Sequence, residues 1–333
     1  WKEICSGQGP WLDINVMNNF QNLKPIKGDA SFRKFFRKNN NNKNSIVVFA
    51  KKEKFKNLIV YDAINKILNK NKILAPNLYE ENYKKGYIEI QDFGDETIFK
   101  ILLKKKNNKF KYFKKIVKIL IQIQSIKNRD IKDFKKKKYI IPKYDKLILL
   151  KEARLFCDWY IKKKLQKKNR DKFNKKFIRI TKKLISNLKL NNNVFVHRDF
   201  HVSNLMLVNN QIGVIDSQDA LIGNKAYDLA SLVDDVRLRT PAILKNKIYK
   251  FYINKQNNLN RAKFKNDFDI LSVLRNLKII GIFTRLAVRD GKKRYLKLIP
   301  RAWELINIRI DNQIFSELKK LLNQNFKKEL NAN

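Results

Sequence analysis

The chain of 333 residues carries 75 Lys and Arg against 30 Asp and Glu, which gives a formal net charge of +45 at pH 7. Its hydrophobic content of 44% excludes a disordered chain, and no run of about 18 apolar residues predicts a membrane-spanning helix. We therefore expect no membrane partner and, because no signal-peptide pattern opens the sequence, a cytoplasmic protein. Cys5 and Cys157 form no metal-binding pattern and suit a reducing compartment, although a single disulfide between them stays open.

The positive charge has two interpretations. Clustered Lys and Arg are typical of nucleic-acid binding, because they neutralise phosphates and release counterions. The alternative is composition, since Lys, Asn and Ile are abundant throughout, as in "KNNNNKN", and Lys far outnumbers the Arg that dominates specific recognition. We favour composition and expect no specific nucleic-acid partner. Attraction of an anionic substrate follows from either interpretation.

In chain order, the first elements predict a small lobe of strands and one helix. "GDASFRKFFRK" and "SIVVFAK", separated by a polar turn at 39–44, predict a hairpin. Residues 55–74 place apolar side chains on one helical stripe that ends near Pro76. "GYIEIQ" alternates as a half-buried strand does, and "DFGD" interrupts it, so we predict a linker near Gly94.

Long helical patterns dominate the rest of the chain. "FKYFKKIVKILIQIQSI" and "YDKLILLKEARLFCDWYIKKKL" have apolar stripes of period 3.6 with lysines on the other face. A hairpin with short strands near 194–196, 205–207 and 213–216 interrupts them. Helical patterns resume with "YDLASLVDDVRL", "LSVLRNLKIIGIFTRL" and "IFSELKKLLNQNF".

The interrupting hairpin, "VHRDFHVSNLMLVNNQIGVIDSQDA", concentrates carboxylates in an apolar setting where burying charge is costly. Asp199, then Asn204, then Asp216 have the spacing that phosphoryl transfer needs. An Asp on a loop accepts the proton of the substrate hydroxyl, and an amide and a carboxylate offer hard oxygen ligands to Mg²⁺. We expect His197 to be structural, packing and hydrogen-bonding within the loop.

This arrangement resembles the protein-kinase-like phosphotransferases, in the aminoglycoside phosphotransferase and choline kinase branch. "HRDFHVSN" matches the catalytic loop and "VIDSQDA" the metal-binding strand. The resemblance implies that Asp199 is the catalytic base and that Asn204 and Asp216 are metal ligands. It also implies that Asp228 in "GNKAYDLASL" braces the catalytic loop, with a plain helix N-cap as the alternative.

Two departures separate this chain from kinases that phosphorylate polypeptides. Asp216 is followed by Ser217 and Gln218 instead of Phe-Gly, and no A-P-E triplet follows. Asp216 and Asp228 are also too close in sequence to leave room for a long activation segment. A small-molecule acceptor is therefore favoured.

The sequence signals for nucleotide binding are weaker, because the chain has no G-x-G-x-x-G and only nine glycines. In "GDASFRKFFR", Gly28 permits a tight turn, and Ser31 and Arg33 can meet phosphates. An ordinary hairpin with exposed basic residues is the alternative.

The hinge and the phosphate-binding lysine come from the resemblance alone. "IEIQDFGD" resembles the segment between the lobes, which implies that the backbone of Gln91, Asp92 and Phe93 binds the adenine of ATP. The equivalent lysine is expected near Lys51 or Lys52, between which the sequence does not choose.

Several ordered blocks between about residues 28 and 301 resemble the bacterial kinases of cell-wall sugars, above all "VIDSQDA" and "GIFTRLAVRDGKKRYL". That family phosphorylates N-acetylmuramate and N-acetylglucosamine at the anomeric hydroxyl. The resemblance implies acceptor contacts from six residues, each of which has a helix-surface salt bridge as its alternative. They are Glu152, Asp158, Trp159, Arg285, Arg289 and Asp290.

We therefore predict an α+β, protein-kinase-like bilobal fold. A small β-rich lobe, residues 1–94, would bind ATP, and a larger, mostly helical lobe, 95–333, would hold the catalytic residues, Mg²⁺ and a sugar. One rival is a kinase of another small hydroxyl compound, such as an aminoglycoside, choline or methylthioribose. The other is an RNA-binding or scaffold protein with a decayed kinase fold. The oligomeric state stays open.

Overall fold

A computed structural model describes residues 23–26, 33–39, 44–51, 56–104 and 108–331. The chain divides into two compact units. The first unit holds the described residues up to Thr97 together with Asn128–Ile140 and Leu205–Gln218. The second unit holds Ile98–Lys127, Ile141–Asn204 and the chain from Asp219 onwards. The predicted division into a nucleotide-binding lobe, 1–94, and an acceptor-binding lobe, 95–333, concerns function and stays a prediction.

An antiparallel sheet of five described strands forms the centre of the first unit, in the order β1-β2-β3-β5-β4. The predicted hairpin is confirmed, because β2 pairs with β3 from Lys34 opposite Phe49 to Lys38 opposite Ser45. All five residues of β3 are buried, as its sequence SIVVF requires. The strands are β1 Leu23–Ile26, β2 Lys34–Lys38, β3 Ser45–Phe49, β4 Leu78–Asn82 and β5 Tyr87–Gln91.

Helix α1, Lys56–Lys70, confirms the helical stripe predicted for residues 55–74. Leu58 and Tyr61 pack in one buried cluster with Val48 and Ile88 of the sheet. Burying a side chain of this size contributes about 1.5–3 kcal/mol, so this face holds the helix on the sheet.

Two further hairpins complete the first unit. Strands β6, Asp130–Lys132, and β7, Lys138–Ile140, form one of them. Strands β9, Leu205–Val208, and β10, Gln211–Val214, form the other. A Cβ at Gly213 would lie 2.7 Å from the ring of Phe93, so only glycine permits this approach of β10 to the end of the sheet.

The second unit is mainly helical, with strand β8, Asn192–Val196, paired antiparallel to β11, Leu221–Asn224. Its helices are α2 Ile98–Lys104, α3 Lys109–Gln124, α4 Lys146–Leu155, α5 Lys162–Lys164, α6 Lys167–Ser186, α7 Ala226–Val233, α8 Ala242–Asn254, α9 Arg261–Val288, α10 Ile299–Ile310 and α11 Ser316–Asn331. A π-helical segment, Phe156–Ile161, joins α4 to α5. The predicted helical patterns are confirmed, except that the helix of "YDLASLVDDVRL" ends at Val233, and none of the patterns indicated the π-helical segment.

Helix α9 is the core of the second unit, and most of its 28 residues are buried. It packs against α4, the π-helical segment, α7 and α10. A Cβ at Gly281 would lie 2.3 Å from the backbone carbonyl of Leu155, so glycine lets α9 approach where α4 becomes the π-helix. Within the described part of the chain, no helix is both long and apolar enough to cross a membrane.

Candidate active site

The catalytic loop runs from His197 to Asn204, between the end of β8 and the start of β9. The Asp228 carboxylate, in the first turn of α7, accepts hydrogen bonds from the N–H of His197 at 2.6 Å and of Arg198 at 3.0 Å. Asp228 is fully buried, and burial raises its pKa to about 6. Arg198 has a φ of 73°, and the two bonds fix the loop in this left-handed conformation.

Asp199 is the third residue of this loop. Its carbonyl oxygen accepts a hydrogen bond from the N–H of His201 at 3.0 Å and another from the Asn204 side chain at 3.0 Å. Burial by itself raises the pKa of the Asp199 carboxyl, but the charges of Lys278, Arg275 and Arg198 lower it, and the net pKa lies below its usual range. Asp199 is therefore a carboxylate at neutral pH, which is the form that a base requires.

Asn204 meets the requirements for a metal ligand. Its Nδ2 donates to the carbonyl of Asp199 and lies 3.4 Å from Nε2 of His201. Because the amide nitrogen faces the loop, the amide oxygen Oδ1 is the atom left to bind a cation, and such oxygens suit Mg²⁺.

Asp216 belongs to the first unit, just after β10, and has a φ of 62°. Its Oδ1 accepts hydrogen bonds from Arg33 Nη2 at 2.7 Å and from Gln218 Nε2 at 3.1 Å. The side chain is 40% exposed, and no hydrogen bond from the described residues reaches Oδ2. The carboxylate therefore offers an accessible hard oxygen, as a magnesium ligand must.

Some of the residues predicted for nucleotide binding lie outside the described residues, and the described ones belong to the first unit. Gly28, Ser31 and Lys52 are among the former, and Lys51 follows β3. The buried Arg33 guanidinium binds Asp216 and, at 2.9 Å, the side chain of Gln218. Its contact with phosphate stays a prediction.

The predicted hinge follows β5. Gln91 ends that strand, and its N–H donates to the carbonyl of Asn77 at 2.8 Å. Asp92 is paired with Arg37 at 2.5 Å, and Phe93 is buried against Gly213. Adenine binding by this backbone stays a prediction.

Glu152, one of the predicted acceptor contacts, lies inside a buried ion network of the second unit. Its carboxylate pairs with the Arg198 guanidinium and, at 2.9 Å, with Lys278 Nζ of α9, and it accepts a hydrogen bond from Tyr144. Burial raises the pKa of Glu152, but the charges of Lys278 and Arg198 bring the net pKa below its usual range. The network therefore connects α4 and α9 to the Arg198 side chain of the catalytic loop.

Residues 22–254 match the sequence profile of the phosphotransferase enzyme family, and this range is well over half of the chain. The chain belongs to that family. It is 29% identical to the N-acetylmuramate/N-acetylglucosamine kinase of Pseudomonas aeruginosa, over 90% of this chain and 87% of the relative. It is 28% identical to the kinase of the same name from Neisseria meningitidis serogroup B, over 87% of this chain and 86% of the relative.

Solved structures agree on the fold of this phosphotransferase. A choline/ethanolamine kinase family protein from Mesorhizobium loti superposes with a TM-score of 0.61 at 10% identity, covering 93% of this chain and 95% of that one. A choline kinase from Streptococcus pneumoniae gives a TM-score of 0.61 at 13% identity, covering 88% and 96%. The predicted protein-kinase-like α+β fold and phosphotransferase class are confirmed.

The other predicted acceptor residues of the phosphotransferase are spread over two places in the second unit. Asp158 and Trp159 lie in the π-helical segment, the first exposed and the second half-buried. Arg289 and Asp290, at the C-terminus of α9, form an ion pair with each other at 2.7 Å. Arg285 lies one turn earlier, and burial of this side chain lowers its pKa. Their contacts with an acceptor stay predictions.

The sequence analysis missed several charged residues of the phosphotransferase that lie near the catalytic loop. Arg275 and Lys278 project from α9, and their charges lower the pKa of Asp199. Asp235 follows α7 and contacts Arg237. A usable signal existed, because "LSVLRNLKIIGIF" has two cations inside an otherwise apolar helix, where a charge needs a partner or a ligand.

Proposed function

We propose that the protein is an ATP-dependent kinase that phosphorylates the anomeric hydroxyl of N-acetylmuramate and N-acetylglucosamine. The observation that carries this proposal is the similarity to kinases named for those two sugars along about nine-tenths of the chain. The blocks "VIDSQDA" and "GIFTRLAVRDGKKRYL" support it, because phosphoryl transfer alone does not require them.

In this proposal the Asp199 carboxylate accepts the proton of the C1 hydroxyl as that oxygen bonds to the γ-phosphorus of ATP. The bond from the γ-phosphorus to the bridging oxygen breaks, and ADP leaves with the electron pair of that bond. An anomeric hydroxyl is more acidic than an ordinary alcohol, so a carboxylate with a low pKa is an adequate base. Asp228 holds the loop that carries Asp199 through two backbone hydrogen bonds.

Asn204 and Asp216 are each proposed as a ligand of Mg²⁺, as their match to the family motifs implies. The ion, when bound, neutralises charge on the triphosphate. Arg33, Ser31 and Gly28 are proposed to contact the phosphates, and the backbone of residues 91–93 the adenine.

Blocking C1 tests this function. Free N-acetylglucosamine and N-acetylmuramate are expected to be phosphorylated in the presence of ATP and magnesium, and NMR should place the phosphate on C1. The matching 1-O-methyl glycosides keep every other hydroxyl and should not react. Phosphorylation of a methyl glycoside at the rate of the free sugar would refute the anomeric assignment.

A panel with choline, methylthioribose and an aminoglycoside in the same assay separates the rival kinase activities. Turnover of one of these compounds, with none of the amino sugars, would replace the proposed acceptor and leave the phosphotransferase assignment intact.

A further inference from the structure

Several buried polar atoms in or beside the catalytic loop have no hydrogen-bond partner among the described residues, and three of them belong to His201, Asp235 and Arg275. These three are Nδ1 of His201, Oδ2 of Asp235 and Nη1 of Arg275. The three residues are 5%, 4% and 4% exposed. The Arg275 guanidinium makes no hydrogen bond or ion pair with any described residue. Buried polar atoms almost always have partners, so three together without one require an explanation.

These three side chains are close to one another within the second unit. Asp234, which precedes Asp235, accepts a hydrogen bond from Ser272 of α9 at 2.6 Å. Ser272 lies one turn before Arg275, so Asp235 is held beside that part of α9. Burial is the main cause that lowers the pKa of His201; the charges of Arg237 and Arg275 lower it further, and the charge of Asp235 raises it. These three charged side chains are therefore near His201.

The same cluster adjoins the proposed base. The N–H of His201 donates to the carbonyl of Asp199 at 3.0 Å, and the charge of Arg275 also acts on the Asp199 carboxyl. A ligand group bound by the cluster would therefore belong to a molecule that reaches Asp199.

The chemistry of the cluster selects the ligand. A guanidinium only donates hydrogen bonds, a carboxylate only accepts them, and a histidine ring nitrogen does one or the other. A hydroxyl group satisfies such a set because it both donates and accepts. Arg237 already pairs with Oδ1 of Asp235 at 3.5 Å, so the acceptor Oδ2 of Asp235 and the donor Nη1 of Arg275 are the atoms to be satisfied. An anionic group cannot donate to the first atom, and a cationic group cannot accept from the second. The cluster therefore suits a neutral, hydroxylated compound.

We propose that His201, Asp235 and Arg275 form an acceptor subsite that binds a sugar hydroxyl other than the one phosphorylated. This assignment rests on the proposed function and adds the residues that recognise the sugar. N-acetylglucosamine and N-acetylmuramate share free hydroxyls at C4 and C6, whereas only the second carries a lactyl carboxylate. The subsite therefore contributes equally to the binding of both sugars.

Two variants test the subsite by steady-state kinetics. Asp235→Asn and Arg275→Met are each expected to raise the acceptor KM about 10- to 100-fold, which is the usual effect of losing a hydrogen bond to a charged group. The KM for ATP should not change. Arg239→Gln is the matched control, because Arg239 lies on the same segment with its side chain 76% exposed. That variant should keep the wild-type acceptor KM.

Deoxy sugars identify the bound hydroxyl and need no altered protein. Either 4-deoxy- or 6-deoxy-N-acetylglucosamine should have a raised KM with the wild type. With Asp235→Asn, the same analogue should bind no worse than the intact sugar, because the contact is already lost.

The outcomes separate the subsite from the function on which it rests. If the wild type phosphorylates neither sugar, the proposed function fails. If the wild type is active while folded Asp235→Asn and Arg275→Met keep its acceptor KM, only the subsite is refuted. If Arg275→Met raises the KM for N-acetylmuramate alone, Arg275 binds the lactyl carboxylate, and the hydroxyl assignment is wrong.

Discussion

Replacing Glu152 by Gln should destabilise the protein strongly, because this carboxylate is the shared partner of two mostly buried cations. Arg198 and Lys278 both pair with it, and the side chains of the three residues are 19%, 11% and 11% exposed in the order Arg198, Lys278 and Glu152. Removing one partner of a buried ion pair costs about 3–5 kcal/mol, since the remaining charge stays buried without compensation. We expect a loss of that size in the free energy of unfolding, measured with denaturant at pH 7.

A surface counterpart makes the test specific to burial. Glu317 also accepts from one Arg and one Lys, Arg179 at 3.1 Å and Lys183 at 2.5 Å, but its partners are about three-quarters exposed. Glu317→Gln should therefore change the free energy of unfolding little, because solvent screens exposed pairs. If Glu152→Gln costs no more than Glu317→Gln, the inference that the buried network stabilises the catalytic loop is wrong.

The pH dependence of that difference gives a second readout. The pKa of Glu152 in the folded protein lies below its ordinary value, mainly because the charges of Lys278 and Arg198 outweigh burial. Its contribution is thus present above the unfolded pKa of about 4.3 and is lost as the pH falls through the folded pKa. The stability difference between wild type and Glu152→Gln should shrink on acidification. A difference that stays constant down to about pH 3 would contradict this assignment.

The catalytic hairpin and the net charge provide three more tests. Asp199→Asn should leave ATP binding nearly intact and lower turnover about 10²- to 10⁴-fold, the usual contribution of a general base; turnover above half of normal would remove Asp199 from the mechanism. Asp216→Ala should abolish the magnesium-dependent part of ATP affinity in a binding titration, whereas Asp311→Ala on the surface should preserve it. Retention on RNA should fade between about 50 and 200 mM salt without sequence preference, and tight selective binding at physiological salt would overturn the compositional view of the charge.

Much of the sheet was predictable because its central strands carry strong local signals. SIVVF in β3 and YIEIQ in β5 are apolar enough to be predicted as strands without knowledge of the strands they pair with. The outer strands were missed, and their sequences explain why. In β4, LYEEN has two exposed glutamates, so an edge strand resembles a loop until its pairing is known. Strand β11 was also missed, since LIGN is short and contains a glycine, and only its pairing with β8 identifies it.

The π-helical segment could not be predicted from periodicity. Phe156–Ile161 continues the apolar stripe of α4 without a proline or glycine to mark a change. The nearest contact that distinguishes this place comes from a distant part of the chain, because Gly281 of α9 lets that helix approach the backbone of Leu155. Long-range packing of this kind overrides local preference, and π-helical turns often accompany functional sites.

The residues of the candidate site were predictable only where a charged residue lies within an apolar stretch of the sequence. That reasoning singled out Asp199 and Asp216 in the hairpin, and applied to α9 it would also have singled out Arg275 and Lys278. What a sequence does not give is the partner of such a charge. Lys278 forms an ion pair with Glu152, whereas Nη1 of Arg275 has no hydrogen-bond partner among the described residues. That difference, visible only in three dimensions, separates a structural cation from one available to a ligand.

The same distinction explains why the net charge of +45 carries so little functional information. Many of the described lysines are exposed on helix faces, where water solvates them and their effect on an anionic substrate is long-range attraction. The cations that act on Asp199 are few and largely buried: Lys278, Arg275 and Arg198. These charges act on Asp199 at short range and in a low-dielectric environment. Each of them should therefore affect Asp199 more than many surface lysines do. A variant that removes several surface lysines should therefore slow substrate encounter at low salt, whereas loss of Arg275 alone should impair acceptor binding at any salt concentration.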